Sequence, residues 1–251
     1  MTIATQPDAA ARLDARALRL AYAATPVLRG VDLQLQGGEL VGLIGPNGSG
    51  KSSLLRALSG QLPCEGTVHV DGIDLHARPV EARRRLGVAV EPERLPASLR
   101  VRQCIELVAH TRGLDRTAIE AGLSLSHTLG LQRWLEHEVG DCSLGTRQKL
   151  AVVLALLGDP PLLLLDEVLN GLDPLAAYAL KSELRRRADA GAAVLLATHG
   201  LEVAERFLDR AVLLLDGVIA ADWNRTELAR LRREGDGLEA AVVERLRAAA
   251  R

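Results

Sequence analysis

Apolar and polar positions alternate early in the chain, through Leu18, Leu20 and Tyr22 and again through Val31, Leu33 and Leu35. That period of two predicts an antiparallel pair of strands joined through a turn near Thr25 and Pro26. Leu40–Ile44 is continuously apolar, as in a strand buried on both faces. Residues 66–70 and 86–90 predict further strands. From about 93 to 157 the pattern is mainly helical. Leu150, Val153, Leu154 and Leu157 form an i, i+3, i+4, i+7 stripe, and Pro160 and Pro161 end that helix. Strand runs resume at 162–165, 194–197 and 212–215, with a helical pattern over 175–188. Strands alternating with helices predict an α/β fold with a mainly parallel sheet. The first strands add an N-terminal antiparallel β layer, and 93–157 reads as a helical subdomain inserted into the core. Residues 1–14 read as a loose leader and 15–225 as the main domain. Residues 226–251 read as a solvated helical pair broken at Gly235, Asp236 and Gly237.

Composition narrows the chemistry. The chain has 251 residues, 48% apolar and 25% charged, which excludes disorder. With 31 basic against 32 acidic side chains it does not neutralise many phosphates, so no nucleic-acid partner is expected. Aromatics are 2% and scattered, which removes a base-stacking platform. Cys64, Cys104 and Cys142 lack metal-type spacing and imply a reducing compartment. The start of the chain, with Asp8, does not read as a secretory signal, and no apolar run approaches the length of a bilayer span. Arg83-Arg84-Arg85 and Arg185-Arg186-Arg187 read as solvated helix faces. The only lysines are Lys51, Lys149 and Lys181.

The first of these lysines closes a motif. Gly45-Pro46-Asn47-Gly48-Ser49-Gly50-Lys51-Ser52 fits G-x-x-x-x-G-K-[ST] between an apolar strand and a helix, the context that makes it a phosphate loop. Glycines let successive N–H groups face one anion, and the helix N-terminus adds its positive dipole end. Lys51 then reaches the β and γ phosphates, and the Ser52 hydroxyl ligates Mg²⁺. The chain is therefore expected to bind a nucleoside triphosphate on a P-loop NTPase core. A second motif ends the strand at Leu165 with Asp166 and Glu167, placing two acids at the carboxyl edge where such sheets bind ligands. Asp166 is expected to hold Mg²⁺, and Glu167 to act as general base for the attacking water.

Together with Ser143-Leu144-Gly145-Thr146-Arg147-Gln148, these motifs resemble the ATP-binding cassette family, specifically the ATPase subunit of a bacterial ABC transporter, and Glu91 with the Ser-Leu-Gly form of the signature resembles its exporter type. The resemblance runs from about residue 16 to 222. It implies that Ser143, Leu144, Gly145 and Thr146 form a signature that meets the nucleotide of a second subunit. Leu144 replaces the usual first glycine and Thr146 the usual glutamine. Asn170-Gly171-Leu172-Asp173 looks like the family's D-loop, with Asp173 coupling the two sites. His199 stands where the family has its switch histidine, and Tyr22 where an aromatic stacks on adenine. Ser53 completes the nucleotide contacts. Glu91 occupies the position of a glutamine that serves metal and coupling. The other five histidines read as surface residues.

The resemblance further implies ATP and Mg²⁺, a head-to-tail pair of cassettes with a homodimer as default, and a separate membrane permease gripped near Glu91. It places the chain at the cytoplasmic face of the cell membrane. The alternative within the family is a soluble cassette ATPase outside transport, such as one serving iron–sulfur cluster biogenesis. A P-loop kinase or GTPase fits less well, because the signature and His199 are present and a guanine motif is absent.

Overall fold

The computed structural model describes residues 11–89, 91–234 and 237–249. Two sheets share the molecule. The first, in the order β2-β1-β4-β5, is antiparallel and comprises β1 (Leu13–Tyr22), β2 (Thr25–Leu35), β4 (Glu65–Val70) and β5 (Ile73–Asp74). The second, in the order β10-β9-β3-β8-β7-β6, comprises β3 (Leu40–Ile44), β6 (Leu86–Val88), β7 (Leu162–Asp166), β8 (Ala193–Ala197), β9 (Arg210–Leu215) and β10 (Val218–Trp223). All its pairings are parallel except the β9–β10 hairpin at one edge.

The continuously apolar strands are explained by where alternate residues go. Leu162 and Leu164 of β7, with Ala193 and Leu195 of β8, pack toward the first sheet and helix α1 (Lys51–Leu58). Leu163, Leu165, Val194 and Leu196 pack on the opposite face, against α3 (Val101–Arg112), α5 (Leu144–Leu156) and α6 (Pro174–Asp189). A period of two with apolar residues at both phases is what a strand covered on both sides requires, each leucine contributing about 1.5–3 kcal/mol on burial. The remaining helices are α2 (Pro79–Arg84), α4 (Arg116–Thr128), α7 (Leu201–Phe207), α8 (Arg225–Glu234) and α9 (Gly237–Ala249).

Several expectations are corrected. Leu13 and Asp14, placed in the leader, belong to β1, where Leu13 is fully buried between Leu35 and Val70; residues 1–10 lie outside the described residues. The first turn is Ala23–Ala24, with Thr25 already paired to Tyr22. β6 ends at Val88, and Val90 lies outside the described residues. The stripe on α5 understates its burial, since every residue from Leu150 to Leu156 is enclosed by the sheet and neighbouring helices. The tail is not simply solvated: Leu228, Leu238 and Val242 enter the core. Arg83, Arg84 and Arg85 are exposed as expected, but the run Arg185-Arg186-Arg187 is not merely solvated. Arg187 is buried, donating to the Leu156 carbonyl at 2.7 Å and pairing with Glu183 and Asp159. Arg185 makes a fork to Asp209.

Candidate functional site

Register brings the separated motifs together. β8 lies between β3 and β7, pairing Leu43 with Ala197 on one side and Asp166 with Ala197 on the other. The chain therefore leaves all three strands at one edge. There it delivers the glycine loop after Ile44, the acids Asp166 and Glu167, and Thr198-His199.

The loop adopts a conformation that only its composition permits. Gly45, Gly48 and Gly50 have φ of 154°, 82° and 104°, values that side chains disfavour. A Cβ on Gly45 would lie 2.3 Å from the Leu214 carbonyl oxygen, whereas Gly48 faces open space. Lys51 Nζ spans the loop, donating to the Gly45 carbonyl at 2.8 Å and the Pro46 carbonyl at 3.1 Å. The first turn of α1 carries neither an acidic residue nor a side-chain cap, so its amides remain available to an anion. The Ser49 hydroxyl is buried without a partner, an orphan donor that a phosphate oxygen would satisfy. These features fit a polyphosphate. Tyr22, at the end of β1, is 46% exposed and its hydroxyl lies 3.4 Å from Ser53 Oγ. Its ring thus stands beside the loop helix, as a base-stacking residue would.

At the opposite wall, Glu167 has φ 49° and its amide donates to the Ala197 carbonyl at 3.0 Å. A non-glycine residue at positive φ is strained, and the neighbouring strands hold it there. Its Oε1 accepts from His199 Nδ1 at 2.9 Å and its Oε2 from Asn170 Nδ2 at 3.0 Å. An ionised carboxylate only accepts, so the imidazole proton is assigned to Nδ1. Ser52, Glu91, Gly145, Gln148, Asp166 and Glu167 line one cavity of about 500 Å³. Ser52, Glu91 and Asp166 offer hard oxygen donors that fit Mg²⁺. No group of three or more His, Cys, Asp or Glu side chains among the described residues forms a metal cluster by itself. Such a donor set fits a cation that arrives with phosphate.

The signature segment is built as a cap. Ser143 Oγ accepts from the Thr146 amide at 3.2 Å and lies 2.8 Å from Thr146 Oγ1, opening α5. Leu144 projects outward, 57% exposed, and Gly145 faces the Gly171 carbonyl of the same chain. Asp173 caps α6 by accepting from the Ala176 amide at 2.9 Å and also accepts from Lys149 Nζ at 2.6 Å. The Lys149 hydrogen bond first, then the Ala176 amide, holds its carboxyl below the ordinary range.

Three contributors escape the motif reading: Arg56, Arg94 and Lys149. Arg56 and Arg94 both pair with Glu91. Arg56 follows Ser52 by four residues on α1, a spacing that shares a helix face, and Lys149 is one of only three lysines. Of the histidines read as surface residues, His76, His110, His127 and His137 are exposed and His69 is half-buried.

Comparison with known proteins gives a consistent result. The family model described as ABC transporter matches residues 28–170, more than half of the chain. The hemin import ATP-binding protein HmuV of Pseudomonas entomophila is 40% identical over 216 residues, covering 82% of this chain and 84% of that protein. The Nod factor export ATP-binding protein I of Rhizobium meliloti is 34% identical over 207 residues, covering 82% of this chain; the chain spans 62% of that relative's length. Among solved structures, an ATP-binding subunit of an ABC transporter superposes with a TM-score of 0.86 at 33% identity, covering 93% of this chain and 99% of the other.

Proposed function

The chain belongs to the ABC transporter family, and we propose that it is the ATP-hydrolysing subunit of a transporter, acting as a pair of cassettes on a separate membrane permease. The observation that carries this reading is the meeting of the Lys51 loop, Asp166, Glu167 and His199 at one sheet edge.

Each group has a definable task there. The loop amides and Lys51 ammonium hold the phosphates, and Tyr22 stacks on the adenine. Ser52, Asp166 and Glu91 hold Mg²⁺, which supplies charge neutralisation when bound. Glu167 takes the proton of the attacking water, while His199 fixes the carboxylate and faces the terminal phosphate. Gly145 lies against the chain's own Gly171, and Ser143 is bonded to Thr146. Ser143 and Leu144 are exposed and Gly145 half-buried, with Thr146 buried beneath them; in this reading that outward surface closes on the nucleotide of a second copy. Asp173 carries the state of one site toward the other.

Among the described residues no helix is long and apolar enough to cross a membrane, so in this reading the membrane path belongs to the partner chain and the cassette sits at its cytoplasmic face. The two relatives are named for opposite directions, import and export; direction and cargo accordingly reside in the permease. The test joins two measurements: sedimentation of the purified chain with and without ATP, and affinity purification from detergent-solubilised membranes. An ATP-dependent doubling of mass and recovery of a polytopic membrane protein are expected. A soluble scaffold as the sole partner would instead point to a cassette outside transport.

A further inference from the structure

Glu91 reaches the cavity that holds Ser52 and Asp166, yet both of its carboxylate oxygens are already taken. Oε1 pairs with the Arg56 guanidinium and Oε2 with Arg94 Nε at 3.0 Å. Arg56 belongs to α1, the helix that begins with Lys51 and Ser52, whereas Glu91 and Arg94 belong to the segment leading from β6 toward α3. The pair therefore ties the phosphate-binding helix to the entry of the helical region. Its members line one small cavity together with Ser52 and Asp166.

Chemistry gives this tie a second consequence. A carboxylate oxygen engaged by a guanidinium has committed charge and a lone pair that a cation would otherwise recruit. Without the arginines, Glu91 would also add a negative charge beside Asp166 and Glu167, which share its cavity. A glutamine at this position would need no such counter-charge. The glutamate and its arginines thus form a unit, and the same carboxylate has two possible partners.

We propose that Arg56 is a positioning residue that holds Glu91 away from the metal position, and that Glu91 exchanges Arg56 for the magnesium–nucleotide complex on binding. The Arg56–Glu91 pair then acts as a latch between α1 and the loop after β6, released by the ligand. Arg94, on the same loop as Glu91, retains its hold on the other oxygen. This rests on the nucleotide-binding reading above and adds to it a charge switch in place of a neutral amide.

The test is ADP binding, followed by calorimetry with magnesium and with a chelator, so that no turnover is involved. The quantity read is the gain in ADP affinity that magnesium confers. Arg56→Met is expected to raise that gain about fivefold, the scale of one partly exposed ion pair. Arg56→Lys keeps the charge and is expected to restore the unsubstituted value. In the Glu91→Gln background, Arg56→Met is expected to change the gain by less than about twofold. An equal effect of Arg56→Met in both backgrounds, or none in either, overturns the latch while leaving nucleotide binding intact. Failure of the unsubstituted chain to bind ADP under any condition overturns both readings.

Discussion

His199 Nδ1 donates to Glu167 Oε1 across 2.9 Å, although 32 positions separate the two residues in the chain. The contact exists because Asp166 pairs with Ala197 in adjacent parallel strands. The residues that follow each strand then emerge side by side. A carboxylate fixed on one oxygen by His199 and on the other by Asn170 is preorganised to accept a proton.

Replacing Glu167 by glutamine removes the carboxylate to which the proposed function assigns proton acceptance, at nearly constant volume. ATP hydrolysis, followed as phosphate release, is expected to fall by about 10²–10⁴-fold, with ATP affinity changed by less than about twofold. Unimpaired phosphate release would remove Glu167 as the base.

Lys51→Met deletes the ammonium that bonds the Gly45 and Pro46 carbonyls. One charge-assisted contact to phosphate is worth about 1.5–3 kcal/mol, so the Kd for ATP is expected to rise about 10- to 100-fold by calorimetry. Circular dichroism should show the fold retained, because α1 is also anchored by Leu54, Leu55 and Leu58.

Gly45 and Gly48 differ in what surrounds them, and alanine at each should report the difference. At Gly45 the added methyl meets the Leu214 carbonyl of β9; neither backbone segment yields, so nucleotide binding is expected to be lost along with stability. At Gly48 space is open and only positive φ opposes the change, a cost of about 1–2 kcal/mol. Urea unfolding of both variants separates crowding from backbone strain; equal losses would contradict the packing argument.

Asp209 joins β3, α6 and α8. Burial pushes its carboxyl up, but hydrogen bonds from Arg185, Arg225 and the Leu40 amide outweigh that and leave it below the ordinary value. A lowered folded-state pKa stabilises above the unfolded value of about 3.9 and is lost as pH falls through the folded one. Asp209→Asn is expected to cost about 3 kcal/mol at neutral pH. The gap between variant and unsubstituted chain should close as urea denaturation is repeated below about pH 4. A gap independent of pH would mean that packing, not charge, is responsible.

Local signals were legible wherever short-range chemistry dictates structure. The glycine loop, the apolar strand before it, and the acids after Leu165 each carry their constraint within a few residues. The edge hairpin β9–β10 escaped because only one of its strands, 212–215, is strongly apolar; β10 is half-exposed and held by pairing to β9. Arg187 escaped for a related reason: in a run of three arginines nothing local marks the one whose stem is buried and whose fork reaches Leu156, 31 positions away.

Glu91 shows the division most clearly. In the sequence it stands beyond a strand, where the family resemblance implies a metal contact, and its charge is visible. That Arg56 and Arg94 hold both oxygens depends on the placement of α1 against β7 and on the path of the loop after β6. Motif spacing encodes contacts closed by a strand, a turn or one helical face, because backbone geometry at that range is nearly rigid. Partnerships between elements remote in the chain follow from sheet order and core packing, set by the summed burial of many side chains. Nucleotide chemistry was therefore written in the sequence, and the state of Glu91 was decided by the tertiary structure.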